Sequence, residues 1–600
     1  MIGLGCMRLS TNADRDDDRG VGVLRAALDA GIVLFDTADA YCLDDRDRGH
    51  NERLIGRALA EWNGDRSKIT VATKGGMRRP NGAWVADGRG KHLREACEAS
   101  RRALGVDTID LYQLHAVDPK TPFATSVRAL ARLREGGLVR AVGLCNVTVS
   151  QIREAQAIVA IESVQVSLSP FDDENLRNGV AEYCRDSGIR LLAHRPLGGD
   201  RRKSLARDAA VRAVAERHAA TPEEVVLAWL ASFGDGVVPL PGATTVHSVA
   251  SISRAARLEL DTAGLRAFDA RFAGNLLRVP RARRRPRESA ADVVIVMGMP
   301  GAGKTTVARE LETQGYARLN RDETGGSLAG LAERLDDLLA SGGRTVVLDN
   351  TYPTRASRNE VIETAWSRGA HVRCIWLTTD IADAQINSIH RMLEAHGELP
   401  APADIRQRSR TDARYLLPDA QFRYQRMLEP PTADEGFVSV EERAFRRAPE
   451  RAEGRALLLD FDDVAAAESP MLSAASVAVA EQWRATLKRH ADAGWRIFVH
   501  AWRPQVESGE TTLDDVTACF ATLRDVLGVD VDCACCSHAA GPPACWCRKP
   551  IPGQVIEFAA RRGVALGRSI VVGTSNADRT LAARVGARFE TPEWLCGRDI

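Results

Sequence analysis

No apolar run in this chain is long enough to cross a bilayer, and no N-terminal stretch shows the basic, apolar and small-residue order of a secretory signal. Both absences point to a cytoplasmic protein with no membrane partner. An excess of charge of one sign is also missing: 81 Lys and Arg face 80 Asp and Glu, a net of +1. No global field draws the chain to nucleic acid, so any polyanion site must be local. Cysteine is sparse over most of the length. Of 13 cysteines, five fall between Cys533 and Cys547, and without a secretion signal such a cluster favours a metal over disulfides. There is no internal repeat.

What is present is alternation of short apolar runs with amphipathic helical patterns. At 600 residues the chain exceeds a single core, and about three or four domains are expected. In residues 1–274 the strand candidates are Ile2–Met7, Val33–Thr37, Thr70–Thr73, Asp110–Leu114, Ala141–Leu144, Ser163–Val166, Arg190–Ala193 and Val237–Leu240. Helical patterns between them include Gly20–Ala30, Asn51–Trp62, Leu93–Leu104, Pro122–Arg134 and Asn175–Asp186. That alternation predicts a (β/α)8 TIM barrel. Residues 275–291 read as an arginine-rich linker carrying Arg278, Arg281, Arg283, Arg284, Arg285 and Arg287. It is a solvated hinge or a contact for a phosphate backbone. Residues 292–429 continue the α/β pattern, with strands near Tyr316–Leu319, Arg344–Leu348 and Val372–Leu377. Residues 430–454, rich in proline and charge, read as a connector, and residues 455–600 are again α/β. The whole is a multidomain α/β chain.

The most specific motif is VVIVMGMPGAGKTT, Val293 to Thr306. A β-branched run leads into G-x-x-x-x-G-K-T, which opens a helical pattern. This is a P-loop in its proper strand–loop–helix setting. Gly298, Gly301 and Gly303 let backbone N–H groups close around a phosphate at a helix N-terminus. Lys304 can reach the outer phosphates of ATP, the Thr305 hydroxyl can hold Mg2+, and Thr306 continues the loop into its helix.

The strand ends of the barrel carry Asp36 and Tyr41 in FDTADAY, Lys74 in ATKGG and His115 in YQLHA. In type, order and position these resemble the catalytic tetrad of aldo-keto reductases, as do IGLGCMRLS and HNERLIGRAL. The resemblance implies an NAD(P)H-dependent carbonyl reductase. Tyr41 would protonate the carbonyl oxygen, its pKa drawn down from about 10 by the Lys74 ammonium. Asp36 would orient Lys74, and His115 would hold the carbonyl oxygen. NADP(H) is the implied cofactor, with Asn146, Gln165 and Gly242 (in Pro241-Gly242-Ala243) on its side of the site. The chain departs from the family at Cys145, where a serine is usual, and at Leu168, where an aromatic residue stacks on the nicotinamide. Thr244–Ser248 holds no Lys or Arg of the kind that usually grips the 2′-phosphate.

Downstream of the P-loop, ARLNRDET places Asn320-Arg321-Asp322 at a strand end. VVLDNTYPTRASR follows with Asp349, Asn350, Thr351 and Arg358, and NSIHRMLEAHGELP carries Arg391 on a helix. The combination resembles the polynucleotide kinases of phage and animal nucleic-acid repair. It implies that Asp322 is the general base for a 5′-hydroxyl and that Arg391 is a lid arginine on the transferring phosphate. The phage-type arginine three residues after the base is Gly325 here. Arg406, Arg408, Arg410 and Arg414 could follow a nucleic-acid strand, or form a solvated helix face.

In the last segment ALLLDFDDV ends a strand in Asp460-x-Asp462, CRKPIPG supplies Lys549, and SIVVGTSNADRT supplies Asp578. These resemble the motifs of haloacid-dehalogenase (HAD)-like Rossmannoid phosphatases. Asp460 would attack phosphorus, Asp462 would protonate the leaving oxygen, Lys549 would offset charge, and Asp460, Asp462 and Asp578 would hold Mg2+. The expected Ser or Thr is replaced near His500–Ala501, and the usual Gly-Asp is Gly573-Thr574. CCSHAAGPPACWC resembles the zinc loop of the heptose-bisphosphate phosphatases, with Cys536, His538, Cys545 and Cys547 as the Zn2+ set and Cys533 and Cys535 as possible substitutes.

Together these resemblances imply a nucleic-acid end-repair enzyme, acting on DNA or RNA ends. A 5′-hydroxyl kinase and a 3′-phosphatase would be joined to a reductase for a damaged end or a small carbonyl compound. The alternatives are a sugar or nucleoside kinase fused to a reductase, and a kinase regulated by a nicotinamide-sensing barrel.

Overall fold

Eight parallel strands, each short, apolar and followed by a helical segment, form the first sheet of the computed structural model, which describes residues 1–289, 291–447, 450–466, 477–541 and 545–597. The strands run in chain order: Leu4–Gly5, Leu34–Asp36, Thr70–Gly75, Ile109–Leu114, Val139–Cys145, Ile161–Ser167, Arg190–His194 and Val237–Leu240. The sheet closes on itself. Gly3 N donates to Pro239 O at 3.0 Å, Gly5 N donates to Pro241 O at 2.9 Å, and Gly5 bridges Gly242 in parallel. A closed parallel barrel with outer helices gathers its strand C-termini on one face, which is where this fold places ligand chemistry. The helix expected over Asn175–Asp186 is broken in two, Glu174–Arg177 and Val180–Asp186. Gly179 between them has φ of 79°, a left-handed turn that the helical periodicity does not reveal.

The arginine-rich stretch is not a bare hinge. It forms two short helices, Asn275–Arg278 and Arg281–Arg284. Arg278 donates to Asp269 and to Ser232, and Arg281 pairs with Glu182 at 3.0 Å. These side chains are committed to the barrel's own acids, which removes them as phosphate contacts. Ala290, at the end of this stretch, lies outside the described residues.

The chain divides into two units, one containing the barrel and one containing the two following sheets. The second sheet is fully parallel, in the order Ala317–Leu319, Thr345–Asp349, Asp292–Met297, His371–Leu377, Val440–Arg443. Its last strand falls inside the stretch expected to be a connector. Val440 pairs with Cys374 and Arg443 with Leu377, so residues rich in charge complete a sheet edge. An edge strand tolerates such residues because one flank stays in water. Ala448 and Pro449 in that stretch lie outside the described residues.

The third sheet is also parallel, in the order Val531–Cys536, Arg496–Trp502, Ala456–Asp460, Ile570–Val572, Arg588–Glu590. The second and third sheets are not separate bodies. Ile386, Ile389 and Met392 of the helix Ile381–His396, with Ile405 and Tyr415, share one apolar core with Trp546, Ile551, Val555, Phe558 and Leu581.

Candidate active sites

In the barrel, Asp36 and Lys74 sit on adjacent strands, His115 directly follows the next, and Tyr41 lies on the loop after Asp36. All four meet. Lys74 Nζ lies 2.7 Å from Asp36 Oδ1, 2.8 Å from Thr37 O and 2.9 Å from Tyr41 Oη. The Tyr41 and His115 rings meet edge to face at 5.7 Å. Lys74 and Asp36 are buried, so this ion pair is hardly screened by water. Burial pulls the Lys74 ammonium down, but Asp36 and Tyr41 hold it above its usual range. The expected fall in the Tyr41 pKa does not appear. Burial pushes that hydroxyl up, and Lys74 draws it back only in part. The phenol therefore keeps its proton at neutral pH, the form that can donate to a carbonyl oxygen. Burial first, then Lys74 and His194, holds His115 well below the ordinary histidine range, so its ring is neutral. His115 Nδ1 is buried without a hydrogen-bond partner.

The cofactor-side residues are placed as follows. Asn146, with φ of 56°, donates to His115 O at 3.4 Å and meets His194 Nε2 at 3.3 Å. Gln165 donates to Asp36 Oδ1 at 2.6 Å, which engages its amide in supporting the tetrad. Gly242 lies against Gly5 at the barrel seam. Leu168 is wholly buried in the barrel core. A cavity of about 140 Å3 is lined by Arg8, Arg15, Arg19, Thr244 and Thr245 together with the carboxylates Asp14 and Asp16, and Arg15 is paired with Asp47. Arg8 opens the short helix Arg8–Thr11, Arg15 lies on the loop after it, and Arg19 is in the first turn of the helix Asp17–Asp29. Trp84 was missed. It is 45% exposed, stands 6.4 Å from the Tyr41 ring and 5.9 Å from His115, and is backed by the Arg79 guanidinium at 3.9 Å. A tryptophan just after the Lys74 strand was the available signal.

In the second sheet, the P-loop joins strand Asp292–Met297 to helix Lys304–Glu312. Gly301 (φ of 87°) lies so close to Ala384 O that a Cβ there would meet it at 2.3 Å. Lys304 Nζ donates to Gly298 O and Met299 O, both at 2.9 Å. Thr305 Oγ1 lies 3.4 Å from Asp349 Oδ2, the pairing of hydroxyl and carboxylate that suits Mg2+. Thr306 N bonds Gly303 O in the first helical turn. Asp349 is held by Arg318 at 2.8 Å and by Asn320 at 2.7 Å. Arg318 went unnoticed in the sequence because nothing in the strand pattern marks a residue that braces a carboxylate. Asp322 opens the helix Arg321–Thr324, capped by Asn320, with its side chain 46% exposed. Burial, then the Arg391 guanidinium, lowers the Lys304 pKa to about 8, while Asp349 and Asp322 draw it up. Burial also lowers Arg391, opposed by Asp322 and Asp412. Lys304, Asp322 and Arg391 thus share one electrostatic site. Of the arginines after it, Arg408 lies over the Tyr415 ring and Arg414 pairs with Asp412.

In the third sheet, Lys549 Nζ bonds both Asp460 and Asp578. Asp462 does not join them. Its side chain, 62% exposed, turns to Arg503, with Nη1 at 3.0 Å. The buried guanidinium of Arg503 outcompetes the site for that carboxylate. In its place His500, from the neighbouring strand, brings a ring nitrogen within 4.8 Å of the Asp460 and Asp578 oxygens. Burial first, then Lys549, lowers His500 to about 3. Thr574 donates to Asp463 at 2.9 Å. Cys536 Sγ lies 3.8 Å from Cys545 Sγ and 3.6 Å from His538 Nδ1, and His538 Nδ1 lies 3.2 Å from Cys547 Sγ. Ligands about 2.0–2.3 Å from a tetrahedral zinc ion are separated by similar distances, so this cluster can hold the ion. Cys533 and Cys535 lie on the strand Val531–Cys536 outside that group. Pro542, Pro543 and Ala544 in the loop lie outside the described residues.

Residues 1–271 match the aldo/keto reductase family, and residues 293–418 match an AAA domain. A probable aldo-keto reductase 1 from Glycine max is 31% identical over 280 residues, covering 41% of this chain and 78% of the soybean protein. Among solved structures, a glycerol dehydrogenase from Gluconobacter oxydans is 27% identical, over 47% of this chain and 92% of its own, with a TM-score of 0.40. An aldo-keto reductase from Bacillus halodurans is 25% identical, over 45% and 91% respectively, with a TM-score of 0.38. The barrel is thus an oxidoreductase domain suited to NADP(H), and the P-loop domain is kinase-like and suited to ATP and Mg2+.

Proposed function

We propose how distinct activities divide along this chain, which belongs to the aldo/keto reductase family through residues 1–271. The barrel reduces a carbonyl compound, the P-loop domain phosphorylates the 5′-hydroxyl of a polynucleotide, and the C-terminal domain removes a phosphate from such an end. The joint task is end repair of DNA or RNA.

In the barrel, bound NADPH supplies the hydride. Tyr41 Oη holds the proton for the carbonyl oxygen, and its raised pKa keeps that proton in place until the oxygen becomes basic. Lys74, fixed by Asp36 and Thr37, steadies the phenolate left behind. Neutral His115 aligns the carbonyl by hydrogen bonding.

For the kinase, one observation carries the reading. Lys304 opens the P-loop helix beside Thr305, whose hydroxyl lies 3.4 Å from Asp349, and Asp349 is bonded by Asn320, the cap of the helix that carries Asp322. Arg391 and Lys304 oppose each other and gain from an anion between them. A carboxylate beside them can take a proton from an acceptor hydroxyl while the phosphoryl group passes. The Asn320-Arg321-Asp322 and Asp349-Asn350-Thr351 segments favour a polynucleotide acceptor. A second reading, phosphorylation of a sugar or nucleoside, draws support from Gly325 and from the pairing of Arg414 with Asp412. Competition decides between them. Labelled ATP is offered to the full-length protein with a 5′-hydroxyl oligonucleotide and an excess of free nucleoside or sugar. Label on the oligonucleotide supports the first reading, and label on the small acceptor overturns it.

In the C-terminal domain Asp460 is the residue proposed to receive the phosphoryl group, beside Lys549. Asp462 must leave Arg503 before it can protonate a leaving oxygen. The Cys536, His538, Cys545 and Cys547 cluster holds zinc and fixes the loop that precedes Lys549.

A further inference from the structure

Trp546 stands between two members of the metal-ligating cluster, Cys545 and Cys547, yet its indole bonds to the preceding domain. It is 1% exposed. Its indole Nε1 donates to Leu416 O at 2.6 Å, in the segment that follows the Arg391 helix. Its ring belongs to the core that contains Ile386, Ile389 and Met392 of that helix. The helix Ile381–His396 has a second working face. Asn387 donates to Gly301 O at 2.9 Å, and Ala384 O and Ser388 Oγ crowd Gly301. Arg391 lies one turn beyond Asn387 on that face, because residues four apart share a side of a helix. The helix is therefore clamped between the P-loop and the C-terminal domain, with Arg391 on one side and Ile389 and Met392 on the other.

We propose that Trp546 is a positioning residue for the kinase: the Cys536–His538–Cys545–Cys547 cluster, closed on zinc, pins the indole beneath the helix and so fixes Arg391 opposite Lys304. The inference rests on the kinase reading above. The chemistry is mechanical. Four ligands lose their freedom when they wrap one ion, and Trp546 lies directly between two of them, Cys545 and Cys547. A buried indole with its N–H satisfied is a stiff, large contact. Loss of the ion frees the loop, the core beneath Ile389 and Met392 loosens, and the guanidinium of Arg391 loses its fixed place. A displacement of about 1 Å in a positioning group can cost on the order of 100-fold in rate.

The test is a double-mutant cycle read by binding of inorganic tripolyphosphate, which needs no acceptor and no turnover. In the full-length protein, Arg391→Ala weakens tripolyphosphate by about 10-fold or more, the worth of a charge-assisted contact. In the Trp546→Ala background the same substitution costs less than about 3-fold, since Arg391 is already displaced. Trp546→Phe keeps an aromatic ring but gives up the bond to Leu416 O and part of the indole's volume; it gives an intermediate value and guards against a misfolded alanine variant. Chelation of zinc from the wild type, followed by metal content, reproduces the Trp546→Ala result. Transfer to the oligonucleotide then falls in kcat and the KM for ATP rises in step with the weakened tripolyphosphate binding, while reductase activity is unaltered. Equal cost of Arg391→Ala in both backgrounds overturns the positioning role, whatever the transfer assay shows. Absence of any transfer by the wild type overturns the kinase reading instead, and the binding cycle still decides the role of Trp546.

Discussion

Replacing Lys74 with methionine separates two consequences that the buried tetrad ties together. The ammonium satisfies Asp36 at 2.7 Å, Thr37 O at 2.8 Å and Tyr41 Oη at 2.9 Å. Without it, the Asp36 carboxylate stays buried with Gln165 Nε2 at 2.6 Å as its remaining close partner. Breaking a buried ion pair from one side costs about 3–5 kcal/mol, because the charge left behind is uncompensated. A domain of this size shifts by about 2–4 °C per kcal/mol. The barrel transition, recognised in calorimetry of the full-length protein as the one that NADPH raises, falls by on the order of 10 °C. Removing the carboxylate as well, in Lys74→Met with Asp36→Leu, deletes the stranded charge, and most of that loss returns. Reductase activity does not return. Tyr41 still has no ammonium to receive its negative charge, and a positioned proton donor is worth about 100- to 10,000-fold. A single variant that melts with the wild type, or a double variant as unstable as the single, would refute the reading of Lys74 and Asp36 as an uncompensated pair when split.

Carbonyl reduction stays flat between about pH 6 and about pH 9, because burial raises Tyr41 and lowers His115 away from that window; a bell-shaped profile centred near neutrality contradicts this. His194, lowered to about 4 by burial and Lys74, stabilises the fold fully above its unfolded value of about 6.5. That stability is lost as pH falls towards about 4, and a His194→Gln variant shows a shallower acid limb in melting experiments. Gly301→Ala, whose Cβ would lie 2.3 Å from Ala384 O, removes tight ATP binding by isothermal titration while leaving NADPH binding untouched. Asp460→Asn abolishes hydrolysis of p-nitrophenyl phosphate, whereas Arg503→Gln, which frees Asp462, raises it several-fold; equal rates in all three proteins argue against phosphatase chemistry.

The barrel was legible because a parallel barrel repeats one pattern, and its strand ends carry the chemistry. Asp36, Lys74 and His115 stand at the ends of apolar runs, which puts them at strand ends, and the resemblance to aldo-keto reductases picks them out there. The P-loop was legible for a similar reason, since its glycines are required by backbone geometry. Competition between side chains left no such trace. Asp462 sits two residues after Asp460, where the motif demands it, yet Arg503, just past the neighbouring strand, holds its carboxylate. Arg318 bracing Asp349, and the loop arginines around Thr244, depend on contacts between segments far apart in the chain. The strand Val440–Arg443 was hidden by its charge, which an edge position permits. The Tyr41 hydroxyl rises rather than falls because its burial outweighs the pull of the Lys74 charge.

The most direct measurement is transfer of labelled γ-phosphate from ATP to a 5′-hydroxyl oligonucleotide by the full-length protein, alongside Asp322→Asn and Lys304→Met. Transfer by the wild type that falls by at least about 100-fold in both variants is the predicted result. Transfer that survives Asp322→Asn, or none to either DNA or RNA, contradicts the account of this site as a polynucleotide kinase.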